Sequence, residues 1–325
     1  MSEDTSSVSH LSVAMTTDQH KTTQTTGMTS SSSSGAALYF ECFVVVIGII
    51  GTAANGLVLY ALVASKEHKK HELIVNQNAL DLYSCLFLVI TYGVKLANIQ
   101  LTGSLGYWLC MLILNQCLLW CGVCGAFVNL SLINIERYLK VVHSAWSKTK
   151  LRKWMIYSAM AFAWISGFVH QLPVGFESSA VVNGVCLGYV IWKNPVTQMV
   201  YGFFYFLTGY VSVLTISIFC YGKILLVIRR QARVMASHNP AGSSTAQTQS
   251  HKIQSNIVKT MILVCAFYAI AWLPENAYFL LMSLNQNLTF LDNGYFAILS
   301  VAFLYICTNF CRRETMSECS PVVFV

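Results

Sequence analysis

Residues 108–139 read WLCMLILNQCLLWCGVCGAFVNLSLINIERYL, a long apolar stretch that ends on the charged pair Glu136-Arg137. About 20 apolar residues cross the roughly 30 Å hydrocarbon core of a bilayer. No water is present there to satisfy an unpaired backbone, so such a stretch must be helical. Runs of the same kind lie on either side, at 38–64, 73–97, 154–176, 197–228 and 256–284, with a shorter one at 294–310. These runs predict an all-α integral membrane protein, a seven-transmembrane helix bundle over residues 38–310. The cations orient it. Lys66, Lys69 and Lys70 fall in the first inner connection, and Lys140, Lys148, Lys150, Arg152 and Lys153 in the second. Lys223, Arg229, Arg230, Arg233, Lys252 and Lys259 flank the third, Arg312 and Arg313 follow the last run, and only Lys21, Lys95 and Lys193 fall toward the other side. The positive-inside rule then puts the N-terminus outside and residues 311–325 in the cytoplasm as a short tail. Residues 1–37 are rich in Ser and Thr and lack the basic-then-apolar start of a cleaved signal peptide, which predicts a disordered extracellular tail.

Composition narrows the function. Only 10% of the 325 residues are charged, against about 25% in soluble domains, so lipid is the solvent for much of the surface. The net charge of +7 sits in short loops between apolar runs, which argues against a nucleic-acid partner. Most of the twelve cysteines lie inside apolar segments as small hydrophobes, and no CxxC is followed by a second ligand pair, so no metal site is expected. The chain contains no HExxH, no GxSxG and no paired catalytic carboxylates, and an enzyme is not expected. Nor does it show the charged pore rings or broken helix pairs of a channel or transporter.

The ionisable residues read as intramembrane are few: Asp81, Glu136-Arg137, Glu275 and Lys95. Each costs about 2.5–3.5 kcal/mol to insert at the bilayer centre, so such residues tend to be functional. Around them lie Gly51-Thr52-Ala53-Ala54-Asn55 in the first run, Asn78-Ala79-Leu80-Asp81 in the second, Glu136-Arg137-Tyr138 closing the third, Trp164 in the fourth, Tyr221 in the fifth and Trp272-Leu273-Pro274 in the sixth. In this order the motifs resemble those of rhodopsin-like G-protein-coupled receptors over about residues 38–310, with a cast nearest to orphan invertebrate, melatonin-like or peptide-like members.

The resemblance implies roles. Arg137 would pair with Glu136 at rest and swing toward Tyr221 on activation, opening a cytoplasmic crevice for a heterotrimeric G protein. The other reading of this pair is an interfacial anchor for the helix end. Asn55, Asp81 and Asn309 resemble the family's buried polar cluster, which often holds a sodium ion. A satisfied structural network is the alternative, and no other cofactor is implied. Trp272 resembles the tryptophan beneath the ligand, with Pro274 kinking its helix, and a plain core Trp is the alternative. Cys110 and Cys186 match the family's extracellular bridge. Asn287-Leu288-Thr289 is a glycosylation sequon in the third outer loop, whereas the sequon at Asn129 lies inside a helix, out of reach.

Some positions depart from the pattern. Cys110 to Arg137 spans 27 residues, two more than is usual in the family, which blurs the register of the outer third helix. Val213 stands where the fifth helix usually has proline, Tyr268 and Ala271 precede Trp272 in place of Phe and Cys, and Gln254 replaces an acid. The seventh run reads Thr308-Asn309-Phe310-Cys311-Arg312 where NPxxY is expected. That ending implies a shortened last helix and impaired signalling. It also raises a second reading, a non-signalling receptor isoform acting by retention or dimerisation.

For the ligand, the seventh run has no Schiff-base lysine, and the place of an amine-receptor aspartate is held by Leu119 or Cys117. Trp272, Glu275, Asn276 and Phe279 share a face at helical spacing. With Gln116, His170, Tyr205 and Lys95 they are the candidate ligand contacts. Glu275 is the charge expected to meet a cationic group, unless it serves a helix-to-helix hydrogen bond. The expected function is transduction of an extracellular peptide or small-molecule signal to G proteins, at the plasma membrane.

Overall fold

The 108–139 run is not one uninterrupted helix. In the computed structural model, which describes residues 30–66, 68, 71–188, 192, 194–238, 245–285 and 293–308, the third span opens with the helix Gly103–Leu109, widens into a π-helical turn at Cys110–Leu114 and breaks before resuming as Cys117–Val142. Together these form α3. At the break Asn115 N–H reaches back five residues to the Cys110 carbonyl, 2.7 Å away, and Gln116 takes a left-handed φ of 61°. Such a bulge takes up extra residues without unpairing the whole ladder. It accounts for the two surplus residues between Cys110 and Arg137. The helix from Cys117 to Val142 is unbroken, so counting back from Arg137 is the valid register, and Leu119, fully buried, holds the place of the amine-receptor acid.

The other spans are α1 (Ser30–Ala64), α2 (Glu72–Leu96), α4 (Lys153–Ser178), α5 (Pro195–Tyr205, a π turn Phe206–Val211, then Ser212–His238), α6 (Thr245–Leu284) and α7 (Asn293–Thr308). Six are long and apolar enough to cross a membrane, and the seventh is a shorter apolar helix. α3 packs against α2, α4 and α5, while α1 closes the ring against α2 and α7, and α6 lies between α5 and α7. Outward faces carry exposed Leu57, Phe162, Ile218 and Ile270, as lipid contact requires.

Two expected boundaries move. α1 starts at Ser30, so the last residues of the expected 1–37 tail are helical. Polar residues join a helix already nucleated by an apolar segment at little cost. The third inner connection is shorter than the expected runs 197–228 and 256–284 leave it, because α5 runs to His238 and α6 begins at Thr245. A short helix, Ser144–Lys150, fills the second inner loop. Outside, β1 (Ser179–Val182) and β2 (Val185–Gly188) pair antiparallel with Val181 opposite Cys186. Their turn is Asn183-Gly184, both at positive φ, the conformation a two-residue hairpin turn demands.

Candidate functional site

The π turn at Cys110 and the hairpin meet at the expected bridge. Cys110 and Cys186 are disulfide-bonded, with Cα atoms 5.3 Å apart. The bond holds β2 against α3, and Leu101 N–H donates to the Gly184 carbonyl at 3.0 Å. Beneath this hairpin the bundle encloses a cavity of about 520 Å³, within the range of small-ligand sites.

Five of the eight candidate contacts line it: Glu275, Phe279, Gln116, Tyr205 and Lys95. The strained backbone at Gln116 turns its amide toward Tyr92, whose hydroxyl accepts at 3.4 Å. Lys95 lies over the Tyr92 ring, 4.7 Å from its centroid, and Glu41 on α1 lines the same cavity. Glu275 is only 3% exposed. Its Oε2 accepts from Asn276 Nδ2 at 3.0 Å, and among the described residues it has no ion pair.

Three candidates are not on the wall. Asn276 is fully buried behind Glu275, its amide shared between that carboxylate and the Trp272 carbonyl at 2.9 Å. Trp272 is also fully buried. It meets Phe127 edge-on at 4.7 Å, Trp120 at 6.2 Å and Tyr305 at 6.0 Å. Trp120 lines the cavity and Trp272 stands behind it. His170 stacks on Phe204 at 4.7 Å and meets the Thr208 hydroxyl at 3.4 Å, in the seam between α4 and α5. One residue on a helix is a turn of about 100°, and Gln171, not His170, faces the cavity. Gln171 donates to the Tyr201 hydroxyl at 3.3 Å. Tyr201, Trp120, Tyr92 and Glu41 were missed as wall residues. The signal for Tyr201 was its spacing of four from Tyr205, which places both on one face.

Between the spans a polar chain runs where the sequence placed a three-residue cluster. Trp164 Nε1 donates to Asn76 Oδ1 at 3.0 Å, Asn76 to Asn129 Oδ1 at 2.9 Å, Asn129 to Gln77 Oε1 at 2.9 Å, and Gln77 to Asp81 Oδ1 at 3.1 Å. Asn129 is fully buried in this chain, which accounts for its unusable sequon. Asn55 gives its amide to the Gly51 carbonyl at 3.0 Å and the Cys85 thiol at 3.8 Å. The void beside Asp81 measures about 20 Å³, room for one water-sized species. Gln77 already donates to the carboxylate, and Ala126 and Ile306 bring no oxygen to the wall. Ser84, Tyr268 and Tyr305 are the hydroxyl-bearing residues on the same wall. Asn309 and Asn287 lie outside the described residues.

At the inner end the expected pair is not formed. Lys140 donates to Glu136 one turn back, and no ion pair among the described residues joins Glu136 to Arg137, whose Nε has no hydrogen-bond partner. Adjacent helical side chains diverge, whereas i and i+4 share a face. Tyr138 instead bonds His143 at 3.1 Å. Tyr221 donates to Asn134 Oδ1 at 2.7 Å, and Asn134 Nδ2 donates to Ser217 Oγ at 2.7 Å and reaches Cys265 on α6 at 3.8 Å. Asn134 was missed, since an amide in an apolar run carries no charge signal.

A family model described as 7 transmembrane receptor (rhodopsin family) matches residues 54–309. The chain is 23% identical over 290 residues to galanin receptor type 1 of Mus musculus, covering 86% of this chain and 76% of that one. It is 23% identical over 305 residues to the substance-K receptor of Canis lupus familiaris, covering 88% and 76%. It is 23% identical over 287 residues to the substance-P receptor of Aquarana catesbeiana, covering 81% and 66%.

Proposed function

The chain belongs to the rhodopsin family of seven-transmembrane receptors, and from that premise we propose that its outer cavity receives a peptide and that its inner end engages the G protein through Arg137 and Tyr221. It is a multi-pass membrane protein that transduces an extracellular signal to heterotrimeric G proteins, and it is not an enzyme. The relatives named after galanin, substance K and substance P favour a peptide among extracellular ligands, and the plasma membrane is where such a ligand is met.

One observation carries the mechanism. A single helix, α6, presents Glu275 and Phe279 to the cavity, buries Trp272 behind it, and presents Cys265 to the inner polar tie. Pro274 within α6 removes one ladder hydrogen bond between those levels. A ligand that presses on Glu275 therefore acts on a helix with a built-in weak point, and movement of its inner half separates Cys265 from Asn134. Release of Tyr221 from Asn134 then frees it for Arg137. A ligand shifts this equilibrium by its differential affinity for the two arrangements.

The test is nucleotide exchange on heterotrimeric G proteins in membranes carrying the chain, with galanin, substance K, substance P and a set of other neuropeptides applied. At least one peptide is expected to raise exchange, and Arg137→Ala is expected to remove the rise while leaving peptide binding in place. A rise that persists undiminished in Arg137→Ala defeats the switch assignment. Absence of binding by every peptide defeats the peptide assignment, whereas binding without a rise favours the non-signalling isoform.

A further inference from the structure

Building on the reading of the outer cavity as a ligand site, we infer that the ligand carries an organic cation, a guanidinium or an ammonium group, which seats against Glu275 inside an aromatic pocket. The inference starts from an imbalance of charge. Glu275 is 3% exposed, lines the cavity, and among the described residues is met by one amide donor and no cation. A carboxylate taken out of water without a counter-charge is costly. Lys95, a cation lining the same cavity, lies over the Tyr92 ring, and a second carboxylate, Glu41 on α1, lines the cavity too.

A second, independent observation points into the same space. The Tyr205 hydroxyl is buried and has no hydrogen-bond partner, although Tyr205 lines the cavity. Buried hydroxyls without partners are rare, and one on a cavity wall is satisfied by what enters the cavity. Around it the rings are already arranged. Phe279 meets Tyr205 edge-on at 5.2 Å and Tyr201 at 5.9 Å, and Tyr201 stacks alongside Tyr205 at 6.1 Å. Phe279 lies one helical turn from Glu275 on α6. A carboxylate with three neighbouring aromatic rings is the environment that favours an organic cation, through a charge-assisted hydrogen bond and attraction to the ring faces. An anionic group would meet Glu275 with like charge, and a neutral amide would leave the carboxylate without its counter-charge. With Leu119 at the place of the amine-receptor acid on α3, the carboxylate that meets the cation is supplied by α6 instead.

The experiment compares benzamidine, an aromatic guanidinium-like cation, with its neutral isostere benzamide. Full-length protein in lipid nanodiscs is titrated with each, following thermal stability and tryptophan fluorescence, since Trp120 lines the cavity. Benzamidine is expected to half-saturate at a concentration at least about tenfold below that of benzamide. Glu275→Gln, which keeps the shape and the hydrogen bond from Asn276, is expected to erase that preference, and Tyr205→Phe to weaken benzamidine without removing it. Equal half-saturation of the two probes by the unsubstituted protein overturns the cation site while leaving a ligand cavity standing. A preference that survives Glu275→Gln overturns the assignment to that residue. Saturation by neither probe overturns the cation site as well, and the receptor reading is then judged separately by peptide-driven exchange.

Discussion

Tyr268 shows how a single departure from a family pattern acquires a physical reason. It stands where the resemblance leads one to expect Phe, and its hydroxyl donates to the Gly209 carbonyl at 2.6 Å. Gly209 lies in the π turn of α5, where the wider winding takes carbonyls out of the ordinary ladder. From the other side Tyr210 donates to the Ala269 carbonyl at 2.9 Å, so the two helices exchange hydrogen bonds across the turn. Val213 holds the usual proline position, so the bulge forms here without proline, and Tyr268 donates to a carbonyl within it. Tyr268→Phe removes this buried hydrogen bond between α6 and the turn, which costs about 0.5–1.5 kcal/mol. The expected outcome is a lower unfolding temperature in nanodiscs, whereas Tyr39→Phe, on an exposed ring, is expected to change nothing. An unchanged unfolding temperature for Tyr268→Phe shows that the turn does not depend on this bond.

At the scale of the helices, close approach decides which substitutions are tolerated. A Cβ on Gly167 of α4 would lie 2.1 Å from the Cys121 carbonyl of α3, against fixed backbone, while a Cβ on Gly56 meets nothing nearer than 3.9 Å. Gly167→Ala must push α3 and α4 apart, at a cost of about 1–3 kcal/mol or more. It is expected to reduce the yield of folded protein at the cell surface, with Gly56→Ala as the silent comparison. Equal yields of the two would mean that the α3–α4 contact is looser than drawn. The spans themselves were legible because oil imposes one rule, unbroken apolar helix, and charge imposes another, cations inside. What the apolar pattern cannot carry is the interruption of a helix by a bulge. The run from Trp108 to Leu139 is equally apolar with or without the break at Gln116, and only the surplus of two residues before Arg137 hinted at it. The hairpin was legible in principle, since Asn183-Gly184 between Val182 and Val185 is a turn signal, but the bridge at Cys186 drew the reading instead. In the site, Glu275 and Phe279 were readable from spacing on one helix. His170 and Gln171 were not distinguishable, because the face α4 turns inward depends on its packing against α3, which no local pattern records.

Across the whole molecule the apolar core falls into separate clusters: Trp120, Phe127, Tyr210, Tyr268, Trp272 and Tyr305 fill the part beneath the cavity, and Ile133, Tyr221, Ile224 and Ile228 fill the inner end. The roof of that core's outer end is covalent. Removing the Cys110–Cys186 bridge frees a loop of separation 76, worth roughly 4 kcal/mol in the chain-entropy account, and it unpins the hairpin from the cavity. Cys186→Ser is expected to lower thermal stability and to weaken ligand binding together, and a loss of stability alone would separate the roof from the site. The inner end poses the sharper question, namely what holds the bundle at rest. The motif suggests Glu136 and Arg137, but Glu136 is committed to Lys140, and it is Asn134 that bonds Tyr221 and Ser217 of α5 and reaches Cys265 of α6. Three helices meet on that one amide. If it is the resting tie, Asn134→Leu, which keeps bulk and removes the hydrogen bonds, raises ligand-independent nucleotide exchange several-fold, as a loss of about 1 kcal/mol from the resting state would. Glu136→Gln should leave the basal rate within about twofold, because an exposed i,i+4 pair contributes only about 0.3–0.5 kcal/mol. Basal exchange measured at matched surface expression decides between them. A basal rate raised by Glu136→Gln and untouched by Asn134→Leu returns the tie to the charged pair and places the switch one helical turn nearer the cytoplasm.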